Sequence, residues 1–184
     1  LIKALSTLTD DYQAWIGEQS DRIGRDLPEH SDQATAAMAR CEQILARLRE
    51  GVAALADEQT LEAFRLANQA MADQRVHSLY ALSKRRKEEV AIKDFWQPKN
   101  HSWRPFQLAF MLLSIPAIAD PLHKDRVEPL QAYADLLWFP TGGGKTEAYL
   151  GVAAFTMFIR RLQGDLGGYD SSRGLSVIMR YTLR

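Results

Sequence analysis

The chain has 184 residues, 46% hydrophobic and 25% charged, which fits a globular protein of one large or two small domains. Lysine plus arginine balances aspartate plus glutamate at 23 each, so no overall basic excess announces an extended nucleic-acid groove. The lone Cys41 excludes an internal disulfide and points to a reducing compartment, and the longest apolar run, 106–119, is too short to span a bilayer and is broken by Pro116.

No charged-then-apolar leader follows Leu1, so no signal peptide is expected, and both ends read as cuts through a larger, cytoplasmic protein. Residues 1–27 predict a helix or helical pair, with Thr9 or Asp10 as a cap, Tyr12, Trp15, Ile16 and Ile23 at helical spacing, and Leu27-Pro28 as the stop. Ser31 reads as the cap of the most regular segment. Ala34, Met38, Cys41, Leu45, Leu48, Val52 and Leu55 step alternately by four and three, a heptad seam. It fits an intermolecular coiled coil or a helical hairpin within the chain; Gly51, costing about 1 kcal/mol against alanine, argues for the hairpin. Asp57 to Thr60 can cap a third helix, with Leu61, Phe64, Ala67, Met71, Val76 and Leu79 on its apolar face, and helices two and three then pair across a short turn. His77 on that helix reads as a surface or interface residue, not a ligand.

The composition then changes. Lys84-Arg85-Arg86-Lys87, near Trp96 and Trp103, is either a nucleic-acid contact or a solvated helix end whose cations suit the dipole, and the second is the simpler reading. Pro105 suits the first turn of a buried helix over 106–115, and 117–131, with Pro121 and Pro129, reads as a connection. An apolar run, Leu136-Leu137-Trp138-Phe139, next predicts a strand, and Pro140-Thr141-Gly142-Gly143-Gly144-Lys145-Thr146 a turn into a helix over 145–163. Strand, glycine loop and helix is the order of a phosphate-binding loop. Glycines let backbone N–H groups converge on a phosphate, and the helix N-terminus adds partial positive charge. Lys145 then reaches the β- and γ-phosphates and the Thr146 hydroxyl completes a Mg²⁺ shell. After a glycine-rich loop over 164–174, Leu175-Ser176-Val177-Ile178-Met179 predicts a second, buried parallel strand, closing a right-handed βαβ unit.

The strict loop pattern asks for glycine where this chain has Phe139, but Pro140 to Thr146 resembles motif I of superfamily 2 helicases, where that position is often not glycine. Arg104 and Gln107, opening a helix upstream, resemble the Q motif of those ATPases, whose glutamine hydrogen-bonds adenine; the 38 positions from Gln107 to Lys145 are a long spacing, absorbed by the 117–131 connection. With Met179-Arg180-Tyr181-Thr182-Leu183-Arg184, these stretches look like the large-helicase family of the bacterial DISARM anti-phage defence system, most specifically over 103–184.

The resemblance implies an α+β piece: a helical region over 1–83, a charged linker over 84–103, and the first βαβ unit of a RecA-like P-loop ATPase over 104–184. It implies ATP and Mg²⁺ as cofactors, with Thr141, Gly142, Gly143, Gly144, Lys145, Thr146, Gln107 and Arg104 around the nucleotide, Lys145 and Thr146 catalytic, and Thr146 on the metal. Arg180, Thr182 and Arg184 fall where motif Ia touches the DNA backbone; the plainer reading of the two arginines is solvated charge at a strand end. Partners implied are DNA and the other subunits of a defence complex, with no membrane. No Asp-Glu pair follows a strand after Lys145, so the chain is expected to bind nucleotide without turning it over. Two further readings fit the same loop: another P-loop motor of AAA+ or restriction type, and a helical interaction module with a vestigial loop.

Overall fold

In the computed structural model, which describes residues 2–26, 28–128, 134–138, 142–166, 168–171 and 173–180, the chain is mainly helical. The helices are α1 (Ile2–Ser20), α2 (Ser31–Ala54), α3 (Glu58–Arg85), α4 (Pro105–Ala119), the single turn α5 (Lys124–Val127) and α6 (Lys145–Gln163). None is long and apolar enough to cross a membrane, among the described residues. α1 begins well before the expected cap. Thr9 lies inside it, its hydroxyl bonded back to the Ser6 carbonyl at 2.8 Å, so it caps nothing. Asp57 does cap α3, accepting from the Thr60 N–H and hydroxyl at 2.8 Å each, and these bonds, the backbone one first, hold its carboxyl below the usual range.

The second half of the heptad seam is buried inside the chain, with Leu45, Leu48 and Leu55 in the core, while Ala34, Met38 and Cys41 are half-buried. The packing partners differ from those expected. α2 lies between α1 and α4, while α3, joined to α2 by a short turn, packs along α6. The antiparallel pair is therefore α1 with α2: Ile2 and Ser6 lie beside Val52 and Ala53, and Gly17 and Ser20 beside Glu42 and Leu45. Gly51 explains the α2–α4 crossing. A Cβ there would sit 2.1 Å from the Leu112 carbonyl oxygen, so only glycine lets the two backbones meet. That carbonyl is the one Pro116, lacking an N–H, cannot bond within α4. The helix runs on through Pro116 to Ala119 rather than stopping at 115.

The expected parallel strands do not form among the described residues. Residues 134–138 and 175–180 carry no strand ladder, and the only pairing is a short antiparallel hairpin, β1 (Asp165–Leu166) with β2 (Tyr169–Asp170), inside the expected loop. The physical reason is visible in exposure. Leu136 is 86% exposed, Trp138 83% and Ile178 82%, so no neighbouring strand or covering layer among the described residues satisfies them.

Candidate nucleotide site

Among the described residues of the glycine loop, Gly142 and Gly144 take positive φ, +80° and +92°, which residues with a Cβ adopt only under strain. Gly144 is the cap from which α6 departs at Lys145, so the first N–H groups of α6 point out of its end toward the loop. Phe139, Pro140 and Thr141 lie outside the described residues. Thr146 is exposed in the first turn of α6, with Lys145 half-buried beside it.

The loop is held from α4. Arg104 Nη1 donates to the Gly143 carbonyl at 2.8 Å, and Gln107 Nε2 donates to the Gly144 carbonyl at 2.8 Å. Gln107 Oε1 meanwhile accepts the Arg104 backbone N–H at 2.8 Å, closing the first turn of α4 behind Pro105. A peptide unit is planar and trans, so fixing the carbonyls of Gly143 and Gly144 also fixes the N–H groups of Gly144 and Lys145, pointing the opposite way. That is the arrangement an anion cradle needs. A Cβ on Gly144 would lie 2.6 Å from Gln107 Nε2, so the glycine also makes room for its own brace.

Gln107 is only 5% exposed, and both ends of its amide are engaged by the protein. In this state it braces the loop. The expected adenine contact would fall to its second amide hydrogen and its remaining lone pair, in a side chain almost closed to solvent. Trp103 fixes the approach to α4: its indole N–H donates to Asn68 Oδ1 of α3 at 2.6 Å, and its ring edge meets α6 at Gly151, where a Cβ would come within 2.9 Å.

A cavity of about 690 Å³ opens beside the loop, bounded by Gly142, Gly144, Glu147 and Gln107 on one side and by α3 on the other. Its size suits a small-molecule site. Sequence reasoning did not find the α3 wall. Its polar residues recur at helical spacing, a pattern that any solvated helix face shares.

No family model matches the chain. Its whole length aligns, at 35% identity over 187 residues, with the DISARM protein DrmA of Bacillus paralicheniformis. The chain is DrmA-like. It spans 16% of that relative's length.

The remaining expected residues of the DrmA-like chain lie elsewhere. Arg180 is exposed and borders a second, larger cavity of about 940 Å³ between α4, α6 and residues 173–180, so the structure does not bring it to the glycine loop. Thr182 and Arg184 lie outside the described residues. Lys84 and Arg85 end α3 with Arg86 as its cap, all exposed, which matches the helix-end reading of the basic tetrad. At the border of the larger cavity, Arg47 of α2 makes a bidentate pair with Asp135 at 2.8 Å and approaches Asp125 at 3.6 Å. Next to it, burial pushes the Glu50 carboxyl up, but hydrogen bonds from His123 and Lys124 outweigh this and hold it below the ordinary value. These ion pairs pin the segment preceding the glycine loop to α2. Among the described residues, no group of three or more His, Cys, Asp or Glu side chains is placed to hold a metal ion.

Proposed function

We propose that this chain binds Mg-ATP at the loop 141–146 and is the opening part of an ATP-driven DNA helicase or translocase of anti-phage defence. The observation that carries the reading is the bracing of the Gly143 and Gly144 carbonyls by Arg104 and Gln107, which orients two successive N–H groups for phosphate. The residues fit the group. Positive-φ glycines, the start of α6 and an adjoining cavity converge at one place. Lys145 holds the β- and γ-phosphates, and Thr146 lends its hydroxyl to Mg²⁺, which neutralises phosphate charge when bound. Arg104 and Gln107 are positioning residues that keep the loop open before nucleotide arrives.

In the full-length protein, residues 134–138 and 175–180 are the first strands of a RecA-like sheet. Arg180, with Thr182 and Arg184, meets the DNA backbone without reading sequence. Partner subunits of a defence complex and a cytoplasmic location go with this reading. The test is DNA-stimulated ATPase activity of the full-length protein. Lys145→Ala is expected to lower it by about 10²–10³-fold, the scale of losing one charge-stabilising group in a preorganised site. Unchanged turnover would overturn the proposal, and would favour a helical interaction module.

A further inference from the structure

The cavity beside the loop has a wall that the phosphates alone do not explain. Arg65, Asn68, Gln69, Ala72 and Arg75 of α3 recur at helical spacing and line it together, facing the glycines. On its apolar side the same helix buries Ala63, Phe64 and Ala67 in the core, and it packs along α6, so the wall is fixed relative to the loop. The cavity is also rich in positive charge. Arg75, Lys99 and Arg104 line it with no carboxylate within ion-pair distance among the described residues, against the single acid Glu147. Gln107, the amide expected to read a base, commits one amide hydrogen to the loop and accepts from Arg104, and only 5% of it is open to a ligand.

We propose that α3 is part of the nucleotide site: the nucleoside end of a purine nucleoside triphosphate lies in this cavity, with Arg75 and Gln69 of α3 against the base and ribose. The inference rests on the phosphate-loop reading above and extends it. Phosphates held at Gly142 to Thr146 leave the nucleoside to cross toward α3, the wall that the cavity places opposite the loop. A planar guanidinium stacks on a purine face, which a lysine ammonium does not. Gln69 uses one amide hydrogen on Asp73 at 3.0 Å, and its carbonyl oxygen remains for a ribose hydroxyl or base N–H. Both side chains are exposed, so changing them leaves the core untouched.

The experiment compares, in the full-length protein, binding of a fluorescent ATP analogue with displacement by inorganic tripolyphosphate, which has no nucleoside. Arg75→Ala, Arg75→Lys and Gln69→Ala are each expected to weaken the ATP analogue by about fivefold or more, with tripolyphosphate unchanged and the melting temperature kept. Lys145→Ala should weaken both ligands. If the α3 variants bind the analogue like wild type while Lys145→Ala fails, the phosphate loop stands and the α3 wall is refuted. Equal weakening of both ligands by Arg75→Ala, with rescue by Arg75→Lys, also refutes it, because Arg75 would then be a phosphate cation. If Lys145→Ala binds both ligands like wild type, or the wild type binds neither, the phosphate-loop reading itself fails and takes this inference with it.

Discussion

Around the glycine loop, α3, α4 and α6 close on one another through Asn68, Trp103, Gln107 and Gly144, whose amide, indole and carbonyl groups bond one another or their own helices. Where residues 173–180 pass over α4 and α6, by contrast, Leu175 and Ile178 are 80% and 82% exposed above a wide cavity. Both regions carry strongly apolar sequence. The first is finished by helices, with α3 of the N-terminal half and α4 both packed against α6. The second has the composition of parallel strands, which become stable only when neighbouring strands and a covering layer exist, and the described residues supply neither. The loop is therefore preorganised by helices, ahead of any sheet.

That contrast can be broken from the packed side first. Gly51→Ala is expected to cost about 3 kcal/mol in urea unfolding, because its Cβ would meet the Leu112 backbone of α4 rather than a side chain that could move. A loss under about 0.5 kcal/mol would show that the α2–α4 crossing is looser than described. Arg47→Ala should cost about 2 kcal/mol, less than a fully buried pair, since Asp135 is partly open to solvent; it leaves Asp125 and Asp135 without their shared cation. Gln107→Ala leaves the Gly144 carbonyl without its donor and should cost roughly 1–2 kcal/mol. If Gln107 braces the loop, the same variant weakens tripolyphosphate as well as ATP; if it only reads adenine, tripolyphosphate is unaffected.

Asp57→Ala should cost about 1 kcal/mol at neutral pH as a lost helix cap. The sign of its pH dependence follows from the lowered folded-state pKa. The contribution is fully present above the unfolded carboxylate pKa and fades as pH falls through the folded one, so wild type and Asp57→Ala converge in acid. The smallest effect belongs to the open side: Ile178→Ser should change this chain's stability by less than about 0.5 kcal/mol. A larger loss would mean that residues 175–180 are packed in solution.

Helices with a local cause were legible in the sequence. Asp57 capping α3, Pro105 opening α4 and Gly144-Lys145 opening α6 are each decided by a few adjacent residues. Partner choice was not. The seam of α2 showed which face is buried without saying that α1 and α4 bury it, because heptad spacing carries no information about which helix answers it. Gly51 read as a propensity cost; its close approach to Leu112 depends on a residue 61 positions away. At the site, the loop residues were readable from spacing, and Arg104 and Gln107 from resemblance. Their bracing of the Gly143 and Gly144 carbonyls depends on how α4 docks, as does the α3 wall. The strand expectation failed among the described residues for the opposite reason. Apolar runs at 136–138 and 175–179 state a need for neighbours, and a run cannot supply its own.

The central claim is that α4 and the glycine loop form a phosphate cradle before any sheet is assembled. Titration of this 184-residue chain with a fluorescent ATP analogue and Mg²⁺, beside Lys145→Ala, tests it most directly. The account predicts saturable binding by wild type, loss of at least about tenfold in Lys145→Ala, a difference of roughly 1.4 kcal/mol, and no release of phosphate by either. Equal binding by the two proteins, or phosphate release abolished by Lys145→Ala, would contradict it.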